Sequence, residues 1–179
     1  MDFKKFLPFE NYILTTKLSV KEVCNRMESK TEPKKNFRFF AAKNNYSKPY
    51  EGKIAGNSFT IIRIINYRNS FLPVIRGTIE SFVGITQINI KMQPMNSVLI
   101  FMGIWLGITG IGCLVMIVIA FRNIGEIGQI FKDGFSPLIF IPFVMFIFGW
   151  LITYFGFKFE SKKSMFFLEK LLEGKEITV

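Results

Sequence analysis

The sequence predicts an α+β membrane protein: an antiparallel β-meander with a short helix, followed by a two-helix transmembrane hairpin and a C-terminal amphipathic helix. Three observations carry that prediction. Val98 to Phe121 is a run of 24 residues without a charge, and Leu138 to Phe157 is another of 20. A helix rises about 1.5 Å per residue and the bilayer core is about 30 Å thick, so either run is long enough to span. Between Tyr50 and Met92 apolar and polar residues alternate with a period of two, punctuated by turn signals. Beyond the second run, apolar residues recur with helical period.

The elements follow in order. Glu10 to Leu18 alternates as a strand, with Tyr12, Leu14, Thr16 and Leu18 on one face. Ser19 fits an N-cap, and Glu22 three residues later completes a capping box. Val20, Val23, Cys24 and Met27 follow at helical spacing, so a short amphipathic helix ends before Pro33. Residues 30–49 are basic and irregular, with Phe37 to Ala42 as a candidate strand. Tyr50 to Ala55 leads through the Gly56-Asn57 turn into a strand over Ser58 to Tyr67. A corner at Arg68 to Pro73 precedes a strand over Val74 to Phe82, and Gly84 turns the chain into the last one. There Thr86, Ile88, Ile90 and Met92 oppose Gln87, Asn89 and Lys91, which suits a sheet with one covered and one open face.

The first span carries Gly103-x-x-x-Gly107 and Gly110, small residues that let helix backbones approach closely. Their neighbour is either a second copy of the chain or the second span of the same chain. Pro142 falls one turn into the second span, where a kink is tolerated. Trp105 and Trp150 are placed as packing residues, and Thr109 and Thr153 are expected to bond their own helix backbones. The connector residues Ile124, Ile127, Ile130 and Phe131 either lie along the outer interface or form a loop. Ser161 to Glu173 reads as an amphipathic helix, with Met165, Phe167, Leu168, Leu171 and Leu172 on one arc and Gly174 as its C′ stop. The organisation expected is a cytoplasmic α+β domain over 1–96, a hairpin over 97–158 with spans 98–121 and 138–157, and a cytoplasmic helix and tail over 159–179 that packs on the first domain.

Charge sets the orientation. Lys and Arg number 16 before the first span, 2 in the connector and 5 after the second span. Close to the spans only Lys91 counts on one side, against Lys158, Lys162, Lys163, Lys170 and Lys175 on the other. The positive-inside rule then expects a multi-pass protein of a plasma or inner membrane with both termini cytoplasmic. Cys24 and Cys113 are not expected to meet, which suits a reducing compartment. The first apolar run begins near residue 98, so no cleavable N-terminal signal is expected.

Composition narrows the chemistry. The chain has no His, so it lacks an ordinary imidazole base, a Ser-His or Cys-His pair and a His-rich metal site. It shows no Gly-rich phosphate loop, Cys-x-x-Cys pair or nucleophile elbow. No cofactor, no metal and no catalytic residue are assigned. Neither span holds an ionisable residue that would signal ion or proton transport.

The most unusual soluble segment is Arg63 to Arg76, RIINYRNSFLPVIR. Arg63 shares a strand face with Phe59, Ile61, Ile65 and Tyr67, where a cation is costly without a partner. With Arg68, Asn69 and Arg76, Arg63 and Tyr67 form a candidate anion or headgroup site; the alternative is that Arg63 pairs with Glu51 or Glu80 across the sheet. The basic stretch 30–48 interleaves Phe37, Phe39, Phe40 and Tyr46, residue types that also bind nucleic acid, but without a recognisable motif. Attraction to anionic lipid, about 1 kcal/mol per basic residue near the surface, is the simpler account.

The core YEGKIAGNSFTIIRIINYRNSFLPVIRGTIE and the later stretch FKFESKKSMFFLEKLLE resemble a group of small bacterial membrane proteins of unknown function. In that group a β-rich N-terminal part precedes two spans and a short basic tail ending in a helix. The resemblance implies this architecture and brings no activity or site residue. The order strand, helix, curled meander, late helix is also similar to helix-grip lipid-binding folds. Three functions are therefore carried forward. The first is a non-enzymatic membrane-anchored binding or scaffold module engaging anionic lipid, a small amphiphile or a partner protein. The second is an accessory subunit or homo-oligomer in a larger membrane complex. The third is an enzyme acting on a lipid-linked or phosphorylated substrate through Arg63, Tyr67 and Arg68.

Overall fold

The computed structural model describes residues 7–33, 47–122 and 137–177. The candidate strand Phe37 to Ala42 and the connector residues Ile124, Ile127, Ile130 and Phe131 lie outside them. The chain forms two compact units, Met1–Met95 with Gly156–Val179, and Asn96–Phe155.

The first unit is α+β. Strand β1, Glu10–Thr16, runs into helix α1, Val20–Lys30, which is followed by the short strand β2, Thr31–Pro33. Strands β3, Tyr50–Ala55, β4, Ser58–Arg63, β5, Val74–Phe82, and β6, Ile85–Gln93, form the expected meander. The sheet is larger than that meander. Among the described residues it has seven strands in the order β2-β3-β4-β5-β6-β1-β7, where β7 is Lys175–Ile177. β1 pairs antiparallel with both β6 and β7, and β2 pairs parallel with β3, so the sheet is mixed. β2 shows no alternation because it is three residues long. β4 ends at Arg63 rather than Tyr67; one further bond in the same register joins the Ile64 N–H to the Pro49 carbonyl at 2.9 Å.

The capping box forms as the spacing predicts. Ser19 Oγ accepts from the Glu22 N–H at 3.3 Å, and the Glu22 carboxylate accepts from the Ser19 N–H at 2.8 Å. α1 buries Val23 and Met27 on the sheet. The same face is covered by the C-terminal part of helix α3, Ile141–Leu172. A separate tail helix is not formed, because α3 continues without a break through the second apolar run and the amphipathic stretch. No proline lies between Pro142 and Leu172, and a lone glycine such as Gly156 costs only about 1 kcal/mol. Phe157, Leu168 and Leu172 are fully buried, each burial being worth about 1.5–3 kcal/mol.

The end of α3 departs from the expected stop. Glu173 takes the positive φ of +49°, and the Gly174 N–H donates to the Glu169 carbonyl at 3.1 Å. Gly174 is small for a different reason: a Cβ there would sit 2.6 Å from Leu14 Cγ. The Thr16 hydroxyl donates to the Leu172 carbonyl at 2.6 Å, and Arg26 binds both the Leu171 carbonyl and Glu173, at 3.0 and 2.7 Å. A cation at this position also suits the negative end of the helix dipole. Gly77 on β5 gives way to the ring of Phe59, whose Cζ would lie 2.3 Å from an added Cβ.

The second unit pairs helix α2, Asn96–Arg122, with the first part of α3. Both helices are long and apolar enough to cross a membrane. A 3₁₀ turn at Pro137–Phe140 leads into α3, which puts Pro142 at its second residue. There the missing N–H would have no partner in any case. Added Cβ atoms at Gly110, Gly112 and Gly149 would meet Phe146, Pro142 and Trp105, whereas Gly103 and Gly107 face open space. The Thr109 and Thr153 hydroxyls donate to the backbone carbonyls four residues earlier, each at 2.8 Å.

Candidate functional site

Two polar constellations form on the first unit, one on each face of its sheet. The covered face holds a polar seam beneath the domain part of α3. Its buried positions run Phe157, Ser161, Ser164, Leu168, Leu172, with the buried carboxylate Glu160 beside them. Arg63, at the end of β4, places Nη1 2.6 Å from Glu160 Oε2. The Tyr67 hydroxyl donates to Glu160 Oε1, and Lys163 Nζ lies 3.2 Å from the same oxygen. Alongside, Lys158 Nζ is 2.8 Å from Glu10 Oε1, and the Ser161 hydroxyl donates to Glu10 Oε2.

Burial pushes the Glu160 carboxyl up, but the hydrogen bonds from Tyr67, Arg63 and Lys163 outweigh it and hold it below the usual carboxylate range. A carboxylate held ionised in this way supplies the counter-charge that Arg63 needs on the covered face. Burial raises the Tyr12 and Tyr50 hydroxyls above their ordinary range. The Tyr12 hydroxyl makes no hydrogen bond among the described residues, whereas the neighbouring Ser164 hydroxyl offsets part of the rise at Tyr50. The thiol of Cys24 is likewise raised, by burial and then by Glu28, the opposite of what activates a nucleophile. No group of three or more His, Cys, Asp or Glu is arranged to hold a metal among the described residues.

The sequence candidates separate in space. Arg63 and Tyr67 meet at Glu160. Asn69 is close by, its Nδ2 donating to the Gly156 carbonyl at 2.9 Å while its Oδ1 accepts from the Phe71 N–H at 2.9 Å. Arg68 is exposed. Arg76 stands on the opposite face of the sheet, because its register partner Thr60 alternates with the buried Phe59 and Ile61 of β4. Arg63 and Tyr67 therefore meet an anion that belongs to the chain itself.

The open face is where Arg76 lies. Pairing across five strands aligns Lys53, Thr60, Arg76, Lys91 and Asn11 in one transverse row. The next row holds Ser58, Thr78, Asn89 and Ile13. These residues border a groove of about 740 Å³ that includes Arg76, Lys91, Asn11, Thr60, Thr78 and Asn89. Lys53 continues the row on β3 beyond the groove. Glu176 also borders it, but it is paired with the core residue Leu14 and so belongs by register to the covered face.

Sequence reasoning did not identify Glu160 as the partner of Arg63, since 97 residues separate them. Its one signal is a lone carboxylate among the lysines just past the second apolar run. The Arg76–Lys91 pair was in reach: a tight turn at Val83-Gly84 sets Phe82 opposite Ile85, and counting back along both strands sets Arg76 opposite Lys91. No protein-family model matches the chain, and neither does any curated protein or solved structure.

Proposed function

We propose that this chain is a membrane-anchored, non-enzymatic binding module whose open sheet face receives the ligand. The observation that carries the reading is the groove of about 740 Å³ on that face, within the usual range of about 300–1,000 Å³ for small-molecule sites. The covered face is packed by α1 and the end of α3, whose apolar side chains share one core with the sheet. Insertion of α2 and the first part of α3 is supported by large apolar side chains left bare, such as Ile100, Ile104, Ile108, Leu114 and Phe148. Lysines after the second run favour a cytoplasmic placement of the sheet domain.

The test is native mass spectrometry of the full chain released from detergent micelles, compared with Thr60→Trp, which fills the groove at an exposed position. The wild type is expected to retain a co-purified small molecule that the variant loses. A chain that arrives bare from several growth conditions, or a molecule retained equally by both, overturns the reading. A second reading, an accessory subunit or homo-oligomer, has in its favour that Gly103 and Gly107 face open space while Gly110, Gly112 and Gly149 are covered.

A further inference from the structure

The open face carries a cation pair that the described residues do not neutralise. Arg76 and Lys91 are directly opposite each other on β5 and β6, and both are exposed. Neither takes part in any ion pair among the described residues. Like charges at directly opposed positions repel and weaken a sheet. The neighbouring pairs on the same two strands carry no such conflict, since Thr78 stands opposite Asn89 and Glu80 opposite Gln87. An anion seated between Arg76 and Lys91 removes the repulsion and gains charge-assisted hydrogen bonds from both.

The surroundings narrow the ligand further. Two cations side by side suit a group that carries more than one negative charge, and the planar guanidinium fork matches the oxygens of a phosphate. The rest of the groove presents the Thr78 hydroxyl, the Ser58 hydroxyl, which donates to the Ala55 carbonyl at 3.1 Å, and the Asn89 amide, which donates to Glu80 at 3.3 Å; their remaining hydrogen-bonding capacity suits a hydroxylated remainder. Of the side chains that alternate onto this face, the groove's apolar ones are Ile13 and Ile177 at one end, too little surface to cover an acyl chain.

We propose that the groove binds a small, water-soluble phosphorylated molecule, its phosphate held between Arg76 and Lys91 and its polar remainder lying against Ser58, Thr78 and Asn89. This rests on the open face being the ligand surface and adds the class of ligand.

The experiment uses the full chain in nanodiscs of phosphatidylcholine alone, titrated with glycerol 3-phosphate and with inorganic phosphate, binding being read from the phosphorus NMR linewidth of each probe. Both probes are expected to bind the wild type. Binding weakens about tenfold or more in the double variant Arg76→Gln, Lys91→Gln, and is unchanged in Lys21→Gln on α1. The double variant removes a repulsion from two exposed positions, so its thermal unfolding without probe should be at or above that of the wild type. Equal binding by the double variant, or no binding of either probe, overturns the proposal. So does a site engaged only when phosphatidylglycerol is built into the discs, which assigns it to lipid. Thr60→Trp separates this inference from the broader reading. A co-purified molecule lost in Thr60→Trp but kept in the double variant overturns the phosphate assignment alone, and one kept in both overturns the two together.

Discussion

Arg63 occupies a strand face shared with Phe59 and Ile61, and a guanidinium there needs a counter-charge brought to it. Glu160 supplies that charge from α3, and Tyr67 and Lys163 complete its shell. Glu160→Gln should cost about 2–4 kcal/mol at neutral pH, because it leaves a partly buried guanidinium without its counter-charge. Thermal unfolding in detergent followed by circular dichroism measures this. The folded-state pKa of Glu160 lies below its ordinary value, so its stabilisation is complete above the unfolded-state pKa and is lost as pH falls through the folded-state one. The wild type should lose stability on acidification more steeply than Glu160→Gln, and parallel pH profiles would contradict the assignment. The Ser19–Glu22 capping box was legible in the sequence because its partners are three residues apart and bond each other's backbone. The Arg63–Glu160 pair was not, because nothing local ties a strand end to a helix 97 residues later.

At the scale of elements, the glycines of the hairpin differ in what a Cβ would meet: side chains at Gly110, Gly112 and Gly149, open space at Gly103 and Gly107. Gly149→Leu on α3 would drive a side chain into Trp105, whose Nε1 lies 3.0 Å from the added Cβ, and into Leu106 beyond it. It should lower the unfolding temperature of the hairpin by several degrees, in the range that overpacking by about 1–3 kcal/mol produces. Gly107→Ile should leave unfolding nearly unchanged, since nothing lies within 4 Å. If the accessory-subunit reading holds, it abolishes assembly measured by cross-linking in native membranes. Helix existence followed from composition and period, but helix extent did not. A sequence pattern that changes from uniformly apolar to amphipathic at Phe157 reads as two elements, while the backbone hydrogen-bond ladder needs no change of course there.

For the whole molecule, the sheet and the end of α3 depend on each other across the inserted hairpin. Leu14, Ile61, Ile75, Ile79 and Ile90 are fully buried or nearly so in a core that includes Phe157, Leu168 and Leu172. Residues 1–95 expressed alone should therefore aggregate, and co-expression with residues 156–179 should restore a soluble, folded sheet, as judged by size-exclusion chromatography. A soluble monomeric 1–95 fragment would show that the meander needs no such cover.

By itself the sequence determined the α+β character, the strands of the meander, the capped helix and the two apolar runs, because each rests on local period and on partners a few residues apart. Tertiary structure alone decided that β1 and β7 extend the meander beyond β6, that β2 adds in parallel at the other edge, and that Glu160 rather than a sheet neighbour is the ion-pair partner of Arg63. These are pairings between segments far apart in the chain, and their energy exists only once packing has brought the segments together.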